Sequence, residues 1–185
     1  MAIKNVNFIP LLSTHKEFLL KAYNQKSVVE TGFITFDYPM SDVRLESLIN
    51  NWLSESEYYK CFIVEKNSEP IGAAQITNIN YVNRTCEIGV LFIEEYQGQG
   101  AALSAGLQLL EIVFEHMDFY KVLLRVQDIN PVLMKGAEKL GFTHEGALRE
   151  HVRHKGGRCD LHYYGMTQKE FYEFNFNALK KYALV

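Results

Sequence analysis

Three cysteines, four prolines and one tryptophan are few for 185 residues. The cysteines, Cys61, Cys86 and Cys159, are odd in number, far apart and without a Cys-x-x-Cys pair. This excludes a disulfide scaffold and predicts reduced thiols, buried as small apolar side chains in a cytoplasmic protein. Basic charge is not in excess: 19 Lys plus Arg against 22 Asp plus Glu leave a formal net of -3, which argues against a nucleic-acid partner held by phosphate neutralisation. No run approaches the ~20 apolar residues of a membrane span, and residues 1–10 lack a basic region followed by an apolar core, so neither membrane insertion nor secretion is expected. The six histidines are scattered without ligand spacing, so no metal is expected. Repeats, low-complexity tracts and Pro/Gly/Ser linkers are also missing, which predicts one domain over residues 1–185. Asn83-Arg84-Thr85 spells a glycosylation sequon that carries no weight in a cytoplasmic protein.

What is present is an ordinary globular composition, 48% hydrophobic and 22% charged. A chain of this length buries roughly 70% of its unfolded surface without a metal or disulfide staple. A short strand is expected around Val6 to Leu12. Thr14 and Glu17 spell a capping box for a helix whose apolar face is Phe18, Leu19, Ala22 and Tyr23. A loop follows, aromatic and unperiodic over 30–40. Ser41-Asp42 then opens a helix carrying Leu45, Leu48, Ile49, Trp52 and Leu53 at helical spacing. Three β-rich runs, Lys60–Glu65, Ile71–Ile79 and Thr85–Phe92, predict an antiparallel meander. A helix from about Gly100 to Met117, with Leu103, Leu107, Leu110, Phe114 and Met117 on one stripe, leads to a strand over Lys121–Gln127. That strand–helix–strand crossover predicts a parallel pair. Pro131 opens another helix that ends at Leu140-Gly141, a hairpin turns at His154–Gly157, and Thr167 with Glu170 caps a last helix. The class is mixed α and β with a largely antiparallel sheet.

The chemistry is concentrated in Val90–Leu103, VLFIEEYQGQGAAL. Glycines and small residues at a helix start leave several N–H groups unblocked, and with the helix dipole they form a place for a phosphate or pyrophosphate. A plain strand-to-helix turn that needs glycine for backbone freedom explains the same residues. No Gly-x-x-x-x-Gly-Lys-Ser/Thr occurs, and Leu103 stands where a third dinucleotide glycine belongs, which argues against a nucleotide triphosphatase and a Rossmann dehydrogenase.

Gln97-Gly98-Gln99-Gly100-Ala101-Ala102 resembles the acetyl-CoA signature of the GNAT N-acetyltransferase superfamily, Arg/Gln-x-x-Gly-x-Gly/Ala. Further features appear in register over 59–170. Cys86-Glu87-Ile88-Gly89 resembles the strand before the loop, Asn130 stands at the expected distance from Gly141-Phe142, and Glu138-Lys139-Leu140-Gly141-Phe142 is similar to the family's Glu-Lys-x-Gly-Phe. Glu145-Gly146, Gly156-Gly157, Asp160 and Tyr164 resemble the C-terminal hairpin of the RimJ/RimL branch. The resemblance implies the acyl-CoA N-acyltransferase fold, a central, mostly antiparallel twisted sheet splayed at a parallel pair and flanked by helices. It also implies acetyl-CoA as co-substrate. Main-chain groups of Leu91 and Phe92 would pair with pantetheine. Gln97, Gly98, Gln99, Gly100, Ala101 and Ala102 would hold the pyrophosphate, and Asn130 would bond the pantetheine arm while also capping the helix at Pro131.

Acetyl transfer to an amine needs an uncharged nucleophile, donors for the carbonyl oxygen and a proton source for the thiolate. Glu87, on an otherwise apolar strand, is the expected base; a strand carboxylate paired across the sheet is the structural reading of the same residue. For the acid, the family's Tyr and Ser positions are here Ala137 and Leu133, neither of which donates a proton. That leaves water or Tyr164, which also fits as a core aromatic.

An α-amino group near pKa 7.8 costs only about 1 kcal/mol to deprotonate at pH 7, against roughly 4.6 kcal/mol for a lysine-like or polyamine nitrogen. This arithmetic suits an α-amine and equally an amino sugar or another low-pKa amine; it is the resemblance to the RimJ/RimL branch that implies a protein N-terminal α-amine as acceptor, with amino sugars, polyamines or antibiotics as alternatives. Phe33–Tyr38 and the hairpin bearing Arg149, His151, Arg153, His154, Lys155 and Arg158 are expected to border the acceptor site. His116 is expected to complement a helix end. A non-catalytic acyl-CoA sensor is the rival class, because both acid positions are apolar, and an RNA adaptor through the basic hairpin is a third. A homodimer is compatible with the sequence.

Overall fold

The structure, a computed structural model, describes residues 6–31, 39–54 and 57–174. The aromatic segment Phe33–Tyr38 lies outside the described residues. Seven strands form one sheet in the order β1-β2-β3-β4-β5-β7-β6. β1 (Asn7–Pro10), β2 (Lys60–Lys66), β3 (Glu69–Asn80) and β4 (Thr85–Phe92) are antiparallel neighbours, as expected of a meander. β4 and β5 (Lys121–Gln127) are parallel, and β5 pairs antiparallel with β7 (Gly157–Thr167), which pairs with β6 (Thr143–His154). The mixed, mostly antiparallel sheet with one parallel joint is as anticipated.

The period-2 pattern puts alternate residues on opposite faces, and helices cover both. On one face Ile71, Ile76, Ile88, Val122, Leu124 and Met166 pack with α4 (Ala101–Glu111), α5 (Pro131–Lys139) and α6 (Gln168–Glu173). On the other, Ile63 and Ala73 meet α1 (Lys16–Tyr23) and α3 (Asp42–Leu53) through Leu19, Tyr23, Leu45 and Ile49. Gly72 is required where β3 meets β4, since a Cβ there would lie 2.3 Å from the Leu91 carbonyl oxygen. Among the described residues no helix is long and apolar enough to cross a membrane.

The caps at Ser41, Asn130 and Thr167 form as predicted, each side chain accepting from the backbone three residues on. The Thr14–Glu17 box does not. Ser13–His15 make a 3-10 turn whose His15 Nδ1 accepts from Leu12 N at 3.1 Å, and α1 starts at Lys16 with no side-chain cap. A helix absent from the sequence reading, α2 (Lys26–Thr31), follows α1. The third predicted helix is α-helical only to Glu111 and continues as a π-helical turn, Ile112–His116, with His116 at its end. The β6–β7 turn places Lys155 and Gly156 both at positive φ, 45° and 83°, the geometry of a two-residue hairpin that follows the strand twist.

Candidate active site

β4 delivers the chain into a loop that is built for close backbone approach. Gly98 and Gly100 have φ of +72° and +88°, a region that side-chain-bearing residues rarely adopt, and a Cβ on Gly98 would meet nothing within 4 Å. Gly100 is the N-cap of α4 and supplies no side-chain oxygen. The first intrahelical bond runs from Ser104 N to Gly100 O at 3.0 Å. The N–H groups of Ala101, Ala102 and Leu103 precede it and point out of the positive end of the dipole, where an anion completes them.

Gln97, the first residue of the signature, acts on the protein itself. Its Nε2 donates to the Phe92 carbonyl at 2.9 Å and to Ser27 Oγ at 3.1 Å. Ser27 in turn donates from N and Oγ to Glu94 Oε1, and Glu94 N donates to Gln25 Oε1 at 2.7 Å. The start of α2 is thus clasped to the segment that leads into the glycine loop. Gln99 Nε2 donates to the Glu95 carbonyl and tightens the same turn.

The sheet opens beside this loop. The β4–β5 register runs from Thr85↔Lys121 through Cys86↔Val122 to Glu87↔Leu123 and stops, although β4 continues to Phe92 and β5 to Gln127. The bond from Ile93 N to Ile71 O fixes the alternation of the free edge. Leu91, two residues earlier, turns its N–H and C=O to β3, while those of Val90 and Phe92 face the opening. Leu91 is thus committed to the ladder, Val90 and the Phe92 N–H lie on the open edge, and the Phe92 carbonyl accepts from Gln97 Nε2. Asn130 Oδ1 accepts from Leu133 N at 3.1 Å as the cap of α5, and its Nδ2 has no partner among the described residues.

On the α1/α3 face of the sheet, at the mouth of the opening, Glu87 Oε2 accepts from Arg125 Nε at 2.7 Å. The pair is half-buried, with side-chain exposures of 15% and 30%. Gly89 comes next along the same face, exposed, and a Cβ there would touch nothing within 4 Å. Tyr163 lies across from Arg125, and Gln75, across from Gly89, donates from Nε2 to the Tyr23 hydroxyl at 3.0 Å. Burial pushes the Tyr23 hydroxyl well above the usual phenol range. Arg125 was not found from sequence, because an Arg in an alternating strand looks like a solvent-facing residue and its partner comes from a neighbouring parallel strand.

Tyr164 is not brought together with Glu87. It pairs with Leu124, so it points to the opposite face, and it is 1% exposed. Burial, and secondarily Glu138, raise its hydroxyl pKa. Its ring lies beside His144, whose Nε2 is 2.9 Å from His162 Nδ1. Ala137 and Leu133 are respectively buried in the core and packed against it. The basic hairpin reaches back to α2: Lys155 Nζ meets Glu30 Oε1 at 2.9 Å, lowering the Glu30 pKa.

The acetyltransferase (GNAT) domain family matches residues 5–143. The chain is 34% identical over 87 residues to the spermidine N(1)-acetyltransferase of Escherichia coli, a match covering 47% of each chain. It is 26% identical over 140 residues to the ribosomal-protein-serine acetyltransferase of the same organism, covering 76% of this chain and 74% of that one. A crystal structure of spermidine N-acetyltransferase from Vibrio cholerae in complex with CoA and spermine superposes with a TM-score of 0.83 at 24% identity, over 90% of this chain and 98% of the other.

Proposed function

Because the chain belongs to the acetyltransferase (GNAT) domain family, and so is an acetyl-CoA-dependent N-acetyltransferase, we propose that the amine it acetylates is an α-amino group of the kind found at a protein N-terminus. The observation that carries this is the composition of the acceptor face. Among the described residues the carboxylate at the mouth of the opening is that of Glu87, and its charge is offset by Arg125 at 2.7 Å. A single base suits an amine that is already partly neutral at pH 7, and an α-amine costs about 1 kcal/mol to deprotonate against roughly 4.6 kcal/mol for a polyamine nitrogen. A polycation would also require uncompensated carboxylates, which this pair does not provide.

In this reading the glycine loop and the first N–H groups of α4 hold the pyrophosphate of acetyl-CoA. The Val90 and Phe92 edge and the Asn130 amide align the pantetheine arm in the opening. Glu87 takes the proton of the incoming ammonium, directly or through a water. The amine nitrogen then bonds to the acetyl carbon as the carbon–sulfur bond breaks, and the second proton that the nitrogen sheds as the amide forms passes through water to the departing sulfur. The electron pair leaves on sulfur. A thiol pKa near 8.5 makes that thiolate a fair leaving group, so the loss of the family's acid position at Ala137 is tolerable and water suffices to reprotonate it. Tyr164 contributes as a core aromatic on the far face.

The test is CoA-thiol release with N-terminal peptides, spermidine and an amino sugar. Peptide turnover should exceed that of the other two in kcat/KM, and Glu87→Gln should lower kcat about 10²- to 10⁴-fold, the range of a general base. A spermidine preference would overturn the assignment of the acceptor.

A further inference from the structure

The role of Arg125 extends beyond its partner. A guanidinium carries five N–H donors, and the bond from Nε to Glu87 uses one. The terminal nitrogens Nη1 and Nη2 have no partner among the described residues, although the side chain is only 30% exposed. A half-buried guanidinium with its outer fork open is a receptor for a planar anion, because two parallel N–H groups match the two oxygens of a carboxylate. The surroundings leave room for one. Gly89, on the same face and exposed, presents no side chain, and the half-buried Tyr163 across from Arg125 supplies an aromatic flank.

Position makes this a matter of acceptor choice. Arg125 and Glu87 stand on the α1/α3 face, at the point where the β4–β5 pairing ends. The donor loop leads from the far end of β4. Any amine deprotonated by Glu87 therefore sits beside the residue that holds the Glu87 carboxylate at 2.7 Å. On the reading of the reaction given above, we propose that Arg125 determines specificity by receiving a carboxylate that the acceptor carries close to its reacting amine. The substrate class is then an anion-bearing primary amine, either a chain whose N-terminal residue is acidic or a free acidic amino acid, and polyamines are rejected by the unanswered positive charge.

The experiment compares a tripeptide beginning with aspartate, its asparagine counterpart, free aspartate and spermidine on the full chain. It measures both kcat/KM and equilibrium binding to the CoA-loaded protein. The wild type should show at least a tenfold lower KM for the aspartyl than for the asparaginyl peptide, and Arg125→Gln should bring the two within threefold of each other. Arg125→Lys, which keeps the charge but not the fork, should retain part of the difference. Which of the aspartyl peptide and free aspartate binds more tightly identifies the source of the carboxylate. Equal affinity of the wild type for the aspartyl and asparaginyl peptides, discrimination that survives in Arg125→Gln, or preferential use of spermidine would overturn the proposal. Arg125-dependent binding of the aspartyl peptide without any acetylated product would instead leave the Arg125 assignment standing and sink the proposed reaction.

Discussion

Replacing Gly100 by glutamate perturbs the donor site in two separable ways. The residue caps α4 at φ +88°, so any side chain there incurs left-handed strain of about 1–2 kcal/mol. In a chain of this size each kcal/mol moves the melting temperature by about 2–4 °C, so the unliganded variant should melt about 2–8 °C lower. The second effect is electrostatic and steric: a carboxylate is placed beside the N–H groups that would receive the pyrophosphate. Acetyl-CoA at 100 times its Kd stabilises the wild type by about 2.7 kcal/mol, a rise of about 5–11 °C. Gly100→Glu should abolish this rise. Gly100→Ala carries the same strain without the charge and should melt lower yet keep at least part of the shift. Differential scanning fluorimetry, with and without acetyl-CoA, reads all three proteins. A Gly100→Glu protein that gains the full wild-type shift would show that the pyrophosphate does not sit on α4.

Two further outcomes are expected. Glu170 accepts from Thr167 N at 2.7 Å and Thr167 Oγ at 2.8 Å, and these bonds lower its pKa below the ordinary 4.5. A folded-state pKa below the unfolded one gives stability that is present above the unfolded value and is lost as pH falls through the folded value. Glu170→Gln should therefore flatten the acid limb of the stability curve below about pH 4.5 while changing little of its shape near neutrality, and an unchanged limb in urea melts would exclude the box as its source. Burial raises the Cys61 thiol to about 11 and the Cys86 thiol to about 12, and it raises Cys159 too. At pH 8 the first two are thiolate in about one molecule per thousand and one per ten thousand. Native protein should react slowly with dithiobisnitrobenzoate and release three equivalents only after unfolding; rapid native reaction would refute the burial.

Most of the architecture was legible because apolar spacing reports which face of an element is buried. α3, with Leu45, Leu48 and Ile49, and the meander β2–β4 follow directly from such spacing. α2 was not legible: six residues, KSVVET, are too few to show a period, and two adjacent valines favour a strand on propensity alone. The failure at Thr14 and Glu17 has a local cause, since His15 takes the Leu12 N–H and moves the helix start beyond the box. In the site, the glycines were legible because the conformation they permit is a backbone property. The Glu87–Arg125 pair was not, because it joins residues 38 apart in sequence across a parallel contact that no local pattern encodes. Tyr164, left beside water as a proton donor once Ala137 and Leu133 are set aside, also fits a core aromatic, and strand parity sends it to the buried face away from Glu87.

The early end of the β4–β5 pairing has a consequence for the life of the protein as well as for its chemistry. Two half-sheets, each internally continuous, are joined by three rungs and by the helix that crosses between them. A donor molecule that adds its amides to the open edge would lengthen this seam. It would be a removable strand, present only while the donor is abundant. Ligand that binds the folded form alone raises stability with the logarithm of its concentration. If the donor seats as proposed, acetyl-CoA should slow limited proteolysis of the folded chain, and a digestion rate unchanged by acetyl-CoA would refute that link between the seam and the donor.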